Sequence, residues 1–422
     1  MAVAALAGAA AWTLGRPGGS AAFPNQVLTI AAVTRIHSLH PHEQIPGSTL
    51  MRARLIQALW DGLVELDPQT LTPRPAVAES WEIAADNRSA IFHLAHGVSW
   101  SNGDPLIADD FVFALRQALN TPSAAGDALL ILKNARAYRE GRVTDVREVG
   151  VKALDARTLR LDLEHPVPGL LTELCDVAWL PLHPGSYELL RSRTFLQEPK
   201  RLVTNGAFKL ESITPDKLTL SPNPYYYARS QVHLAGIELL YTEDISLYPQ
   251  LLESGEVQLC DRLNSGNIKP PTSPDIELWR DPTLVGGYVH FNLRRGPLAD
   301  VRVRRALSLA LDREALVRTI SPADLRAAHT CLPPLADGEN IPTVHEDLAE
   351  ARRLLAEAGY PGGRNFPVLN WPYRSATIDA AVKVPEECAA QWRERLGIPI
   401  YLVLMDDEEF QARVQRRDYD LA

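Results

Sequence analysis

The chain has 422 residues, 46% of them hydrophobic and 23% charged, with a formal net charge of −9. That length holds two or three domains with substantial cores, and the composition is that of an ordinary globular protein. The negative balance argues against a nucleic-acid surface, which needs clustered Lys and Arg to release counterions, and it does not identify a small ligand. Met1 to Leu14 form an apolar run that is too short to span a membrane, since a spanning helix needs ~20 apolar residues. Ser20-Ala21-Ala22 then supply the small residues that a signal peptidase cuts beside. No basic residue precedes the run, so the start is read as lying inside a longer export signal. Residues 1–22 are therefore expected to be a signal-like segment, with the mature, soluble, monomeric chain starting near Phe23. No Cys lies near this end, so a lipoprotein anchor is not expected.

Val27 to Val33 reads as a strand, and Ala53 to Leu63 as a helix with Leu55, Ile56, Leu59 and Leu63 on one face. Between them stand His37, His40 and His42, followed by Glu43. Histidines at such spacing suit a transition metal. No supporting ligand set or second His-rich tract accompanies them, so they are read as binding-cleft or surface residues, with no metal and no cofactor.

Ala90 to Leu94 is a β-prone run, and Trp100-Ser101-Asn102-Gly103-Asp104-Pro105 is a turn in which Asn-Gly tolerates positive φ and Pro105 fixes the exit. Asp109-Asp110 open a helix with Phe111, Leu115 and Leu119 on one face. Further strands are expected at Val149 to Leu154 and Thr158 to Leu163, and Asn205-Gly206 leads into another. Tyr288, His290 and Asn292 share one face of a predicted strand around Phe291. Val303, Ala306, Leu307, Ala310 and Leu311 lie at helical spacing behind Asp300, with Arg302, Arg304, Arg305 and Arg313 on a solvated face. Asp406-Asp407-Glu408-Glu409 reads as an acidic helix start.

Cys175, Cys260, Cys331 and Cys388 are too far apart for a CxxC site; bridges between them stay open, beside isolated thiols. Nothing supports catalysis: there is no G-x-S-x-G elbow, H-E-x-x-H, P-loop or G-x-G-x-x-G before a helix. An enzyme is not expected.

Several of these segments together resemble the peptide and nickel type of extracellular solute-binding protein, the receptors that serve ABC importers. Trp100, Ser101, Gly103, Pro105, Ala108, Asp110 and Phe111 match the family's W-S-D-G-x-P-x-T-A-x-D-F, with Ile107 standing where a Thr would cap the helix. Such a cap is worth about 1 kcal/mol. Asn205 to Leu210, Asn223-Pro224-Tyr225-Tyr226, Gly255 to Leu259, His290 to Glu314 and Ala351 to Tyr360 resemble further family segments in the same order.

The resemblance implies a two-lobe α/β clamp of periplasmic-binding-protein type II with an extra small α/β subdomain inserted in the first lobe. The first lobe would take residues 24–51 and 178–285, the inserted subdomain 52–177, and an incomplete second lobe 286–422. It implies a periplasmic receptor that hands peptides, or a related small solute, to an inner-membrane ABC permease. A receptor for a nickel chelate or oligosaccharide, or the sensing module of a regulator, are the alternatives. His42, Glu43, Tyr288, His290 and Asn292 are the candidate ligand contacts, and His290→Ala or Asn292→Ala is expected to weaken binding with the fold intact. Arg417 to Ala422 resembles a second-lobe strand after which relatives continue, so a longer protein is expected. On that reading the second lobe has uncovered edges and unfolds before the first, and the 422-residue chain binds peptide poorly.

Overall fold

The computed structural model describes residues 26–33, 35–43, 50–121, 123–260, 272–277, 287–320, 325–330, 343–374 and 379–422. The signal-like segment and Cys331 fall outside them. The chain packs as two units, Met1–Leu263 and Asn264–Ala422.

In the first unit β1 (Val27–Ala32) opens a five-stranded sheet that the chain completes only much later. After β1 come β2 (Val64–Leu66) and β3 (Pro73–Pro75), a short hairpin, and then β4 (Ala78–Ile83), β5 (Ser89–Leu94), β6 (Val151–Asp155) and β7 (Thr158–Asp162). The last four form an antiparallel sheet in the order β4-β5-β7-β6. Alternation buries Ala90, Phe92 and Leu94 of β5 and Leu159 and Leu161 of β7 on one face. The helix Ala108–Leu119 packs its Phe111, Leu115 and Leu119 stripe over that sheet.

β8 (Phe208–Ile213), β9 (Lys217–Pro222), β10 (Gly236–Tyr241) and β11 (Leu259–Cys260) then join β1 in the order β11-β1-β10-β9-β8. β1 runs parallel to both of its neighbours, and the rest of the sheet is antiparallel. One continuous apolar core, including Trp60, Trp100 and Trp179, lies under both sheets.

Two boundaries differ from the expectation. The first helix is Leu50–Leu59, not Ala53 to Leu63. It stops because the Leu59 carbonyl accepts the Gly206 N–H at 2.8 Å, while the Asn205 side chain brackets both backbone groups of Asp61. The strand around Phe291 shrinks to a single bridge with Leu421. Asn292 turns the chain there, its Oδ1 accepting from the Arg294 N–H.

In the second unit β12 (Leu369–Arg374) pairs in parallel with β13 (Ile400–Met405). The helices Val301–Leu309, Arg313–Ile320, Leu348–Glu357, Asp379–Leu396 and Asp407–Arg416 accompany them. Asp300, Asp347 and Asp406 cap three of these helices with their carboxylates. The core gathers Leu298, Val303, Leu307, Leu355, Trp371 and Trp392, and the Trp392 indole donates to the Leu307 carbonyl at 2.7 Å. The arginine face is less solvated than expected. Arg304 bonds the carbonyls of Leu298 and Ala299, and Arg313 that of Ser308, so these two close the helix ends. Cys175 and Cys388 are free thiols.

Candidate functional site

Beyond β1 the chain runs without regular structure through residues 35–43, and Arg52 holds that run from the first helix. Its guanidinium donates to the carbonyls of Ser38, His40 and Glu43. The Ser38 hydroxyl supports the same loop, accepting from the His40 N–H and donating to Glu43. The His40 ring accepts from the His42 N–H at 3.2 Å and packs edge-on against Tyr187.

His42 is 1% exposed, and neither ring nitrogen makes a hydrogen bond of good geometry. Burial drives its pKa down to about 3, the neighbouring His40 adding to the effect and the Leu180 carbonyl only partly offsetting it. Burial also lowers His40, to about 4. Both rings are neutral at pH 7. Burial by itself would raise the Glu43 carboxyl, but hydrogen bonds from Ser38 and Arg193 outweigh it and hold the group below its usual value.

His42 and Glu43 line a cavity of about 490 Å³ together with Arg52, Ala128, Glu173 and Asp176. It is large enough for an amino-acid side chain and mixes acceptors with small apolar surfaces. His37, by contrast, is exposed and does not line it. Among the described residues no three His, Cys, Asp or Glu side chains are placed to hold a metal ion.

The other candidates lie in the second unit and fare differently from one another. Tyr288 and His290 are exposed. His290 exchanges both backbone hydrogen bonds with Ala422. Asn292 is buried, and its amide donates to the carbonyls of Arg417 at 3.1 Å and Tyr419 at 2.8 Å. Its side chain is committed to tying this stretch to residues 417–419.

The sequence signatures converge on one another in the first unit. The Trp100 indole donates to Asp110 at 2.9 Å, and the same carboxylate oxygen accepts the Ile107 N–H at 3.0 Å. Asp110 thereby supplies one half of a capping box, while its own N–H, which a Thr at position 107 would cap, donates to the Ile107 carbonyl at 3.0 Å. Ser101 exchanges hydrogen bonds with Thr204. Asn223 bonds the Gly206 carbonyl, and the Tyr226 hydroxyl donates to Asp61 at 2.8 Å.

The pattern of the bacterial extracellular solute-binding proteins, family 5 Middle, matches residues 72–422. The chain belongs to this family. It is 32% identical over 384 residues to the probable deoxycholate-binding periplasmic protein YgiS of Escherichia coli, covering 88% of this chain and 70% of that one. It is 27% identical over 444 residues to the periplasmic oligopeptide-binding protein OppA of the same organism, covering 99% and 78%. Among solved structures, a periplasmic oligopeptide-binding protein from Borrelia burgdorferi superposes with a TM-score of 0.76 at 26% identity, over 94% of this chain and 79% of that one. The murein tripeptide-binding protein MppA of Escherichia coli gives 0.77 at 25%, over 94% and 78%.

The fold is thus the two-lobe α/β fold of the family 5 solute-binding proteins, and the family is one of binding proteins, not enzymes. Several signature residues of the first unit are scaffold: Trp100 bonds Asp110, Asn205 bonds Asp61 and Asn223 bonds the Gly206 carbonyl, and none of them lines the pocket. Sequence reasoning missed Arg52, Glu173 and Asp176. Arg52 sits in an amphipathic helix where a solvated Arg is the ordinary reading, and nothing in the sequence brings Glu173 or Asp176 to His42.

Proposed function

We propose that this family 5 protein captures a peptide outside the cytoplasm and delivers it to an inner-membrane ABC permease. The observation that carries the reading is the similarity to peptide-binding relatives along nearly the whole chain, with a side-chain-sized pocket beside His42 and Glu43. In this reading residues 1–22 direct export, and no helix among the described residues is long and apolar enough to cross a membrane. Residues 24–51 and 178–285 make the first lobe, 52–177 its insert and 286–422 the second lobe. His42 and Glu43 face ligand from the first lobe, Tyr288 and His290 from the second. Asn292 positions that stretch through its bonds to residues 417–419. The protein acts as a monomer and catalyses nothing.

A second reading has its own support, since one relative at 32% identity is a probable deoxycholate-binding protein. Native mass spectrometry of the protein recovered from a bacterial periplasm separates the two. A series of short-peptide masses is the expected result. A single steroid-acid mass would replace the peptide reading, and recovery from the cytoplasm with residues 1–22 intact would overturn export.

A further inference from the structure

We propose that His183 is a pH-operated cap on the helix that braces the loop of residues 40–43, so that acidification loosens that loop whichever solute the protein carries. The helix runs from Pro184 to Arg191 and holds the loop twice. Tyr187 stands edge-on to the His40 ring, with centroids 5.8 Å apart. Arg193, just past the helix end, donates to the Glu43 carboxylate at 3.2 Å. Whatever loosens the helix therefore slackens both holds.

The start of this helix hangs on one imidazole. Pro184 has no N–H, and the Ser186 N–H donates to the His183 carbonyl at 2.9 Å. Gly185 is the donor left over, and its N–H donates to His183 Nδ1 at 3.1 Å. The ring fills the space beside Gly185, where a Cβ would stand 3.2 Å from both Nδ1 and Cε1. The usual capping residues, Ser, Thr, Asp and Asn, keep an acceptor near neutral pH. A neutral imidazole has one acceptor nitrogen, and protonation turns it into a second donor. Nδ1–H would then face the Gly185 N–H, and a positive charge would sit on the positive end of the helix dipole.

The groups around the ring act in the same direction. With Nδ1 accepting, the proton of the neutral ring is on Nε2, and Asp104 Oδ2 of the turn 100–105 lies 3.5 Å from that nitrogen. Asp110 is the other carboxylate near the ring, and the Trp100 indole meets it edge-on at 5.3 Å. The helix has no acidic residue in its first turn. A protonated ring is thus attracted by the turn and repelled by the helix, which breaks the cap. Ser186 exchanges two hydrogen bonds with Val203, so the helix loosens without being released. His40 and His42, lowered by burial to about 4 and about 3, stay largely neutral above pH 5 and do not mask the effect.

The test follows the full chain by NMR from about pH 8 to about pH 5, the range in which imidazoles ordinarily change charge. It reads the Gly185 amide proton and the exchange protection of residues 187–191, as protection factors that divide out the base catalysis of exchange. The Gly185 proton is expected to move upfield in step with protonation of the His183 ring. Helix protection is expected to fall about fivefold, as for the loss of one cap, and the His42 and Glu43 amides to lose protection over the same range. His183→Asn keeps an acceptor that does not titrate, and is expected to hold the high-pH protection throughout. His183→Phe keeps a ring beside Trp100 without an acceptor, and is expected to show the low-pH protection at every pH.

A Gly185 proton indifferent to the His183 titration overturns the cap, and so does full protection in His183→Phe. A loss of protection that persists in His183→Asn belongs to another group and overturns it equally. A helix that loosens while His42 and Glu43 keep their protection overturns the link to the loop. Should His183→Phe fail to fold, the unmodified chain and His183→Asn decide among these outcomes.

Discussion

At the scale of single residues, Asp110 is buried and satisfies two donors at once, the Trp100 indole and the Ile107 N–H. Asp110→Ala leaves both unpaired beside the first unit's core and is expected to cost about 3 kcal/mol, read as a lowered urea midpoint with an unchanged slope. Asp110→Asn, which keeps an acceptor, is expected to cost less. Protonation makes a second prediction. Burial, with the charge of Glu65 adding to it, raises the Asp61 carboxyl to about 7, against hydrogen bonds from Tyr226 and Tyr227. The folded state therefore holds a proton that the unfolded chain has lost, and this contribution to stability declines as pH rises from about 4 to about 7.

His40 and His42 act in the opposite sense. Their folded values of about 4 and about 3 mean that below pH 6.5 the unfolded chain takes up protons the fold excludes. Their contribution is present above pH 6.5 and lost on acidification. By themselves the two histidines are expected to weaken the first unit on acidification from pH 6.5 to 4, against the raised carboxyls of Asp61, Glu65 and Asp110. Asp61→Asn is expected to gain more stability at pH 8 than at pH 4, and urea titrations at both values check the sign.

At the scale of elements, the junction between the Leu50–Leu59 helix and the Asn205-Gly206 turn decides how the segment after β1 meets the strands of residues 208–260. A Cβ on Gly206 would lie 2.6 Å from the Leu59 carbonyl carbon and 2.7 Å from the Trp60 nitrogen, all backbone. Gly206→Ala is therefore expected to destabilise the first unit by about 2–3 kcal/mol, because neither backbone can yield without breaking the Gly206–Leu59 hydrogen bond. Gly97→Ala is the control. Its φ of +76° is strained for alanine, but nothing lies near its Cβ, so about 1 kcal/mol is expected. The residues of this junction could be quoted from the sequence as turn formers. Their partner, a helix end some 145 positions earlier, could not, because no local pattern encodes which carbonyl a turn will cap.

At the scale of the molecule, the two units keep separate apolar cores, one under the two large sheets and one around Trp371 and Trp392. Calorimetry is expected to resolve two transitions and not one. Trp392→Phe removes the bond to the Leu307 carbonyl while leaving most of the buried ring, so it is expected to cost about 1–2 kcal/mol. That loss should lower one transition and leave the other in place; a shift of both would mean that the cores unfold as one.

What the sequence by itself determined is the part written in local periodicity and turn chemistry. The β-prone run Ala90 to Leu94 specified a strand, the apolar stripe Phe111-Leu115-Leu119 a helix, and Asp300 a cap, as the fold has them. Two of the signatures that identified the family tie distant segments of the first unit together, Asn205 to Asp61 and Ser101 to Thr204. Only the tertiary structure decided which polar residues face a cavity. Asn292 reads in sequence like His290, yet burial and two carbonyl acceptors commit its side chain to the chain itself while His290 stays exposed. Nothing in the sequence marks Glu173 and Asp176, and they line one cavity with His42 only because folding brings residues about 130 positions apart together. Local pattern fixes how a segment folds, and the long-range packing that the pattern does not contain fixes what each side chain is left to touch.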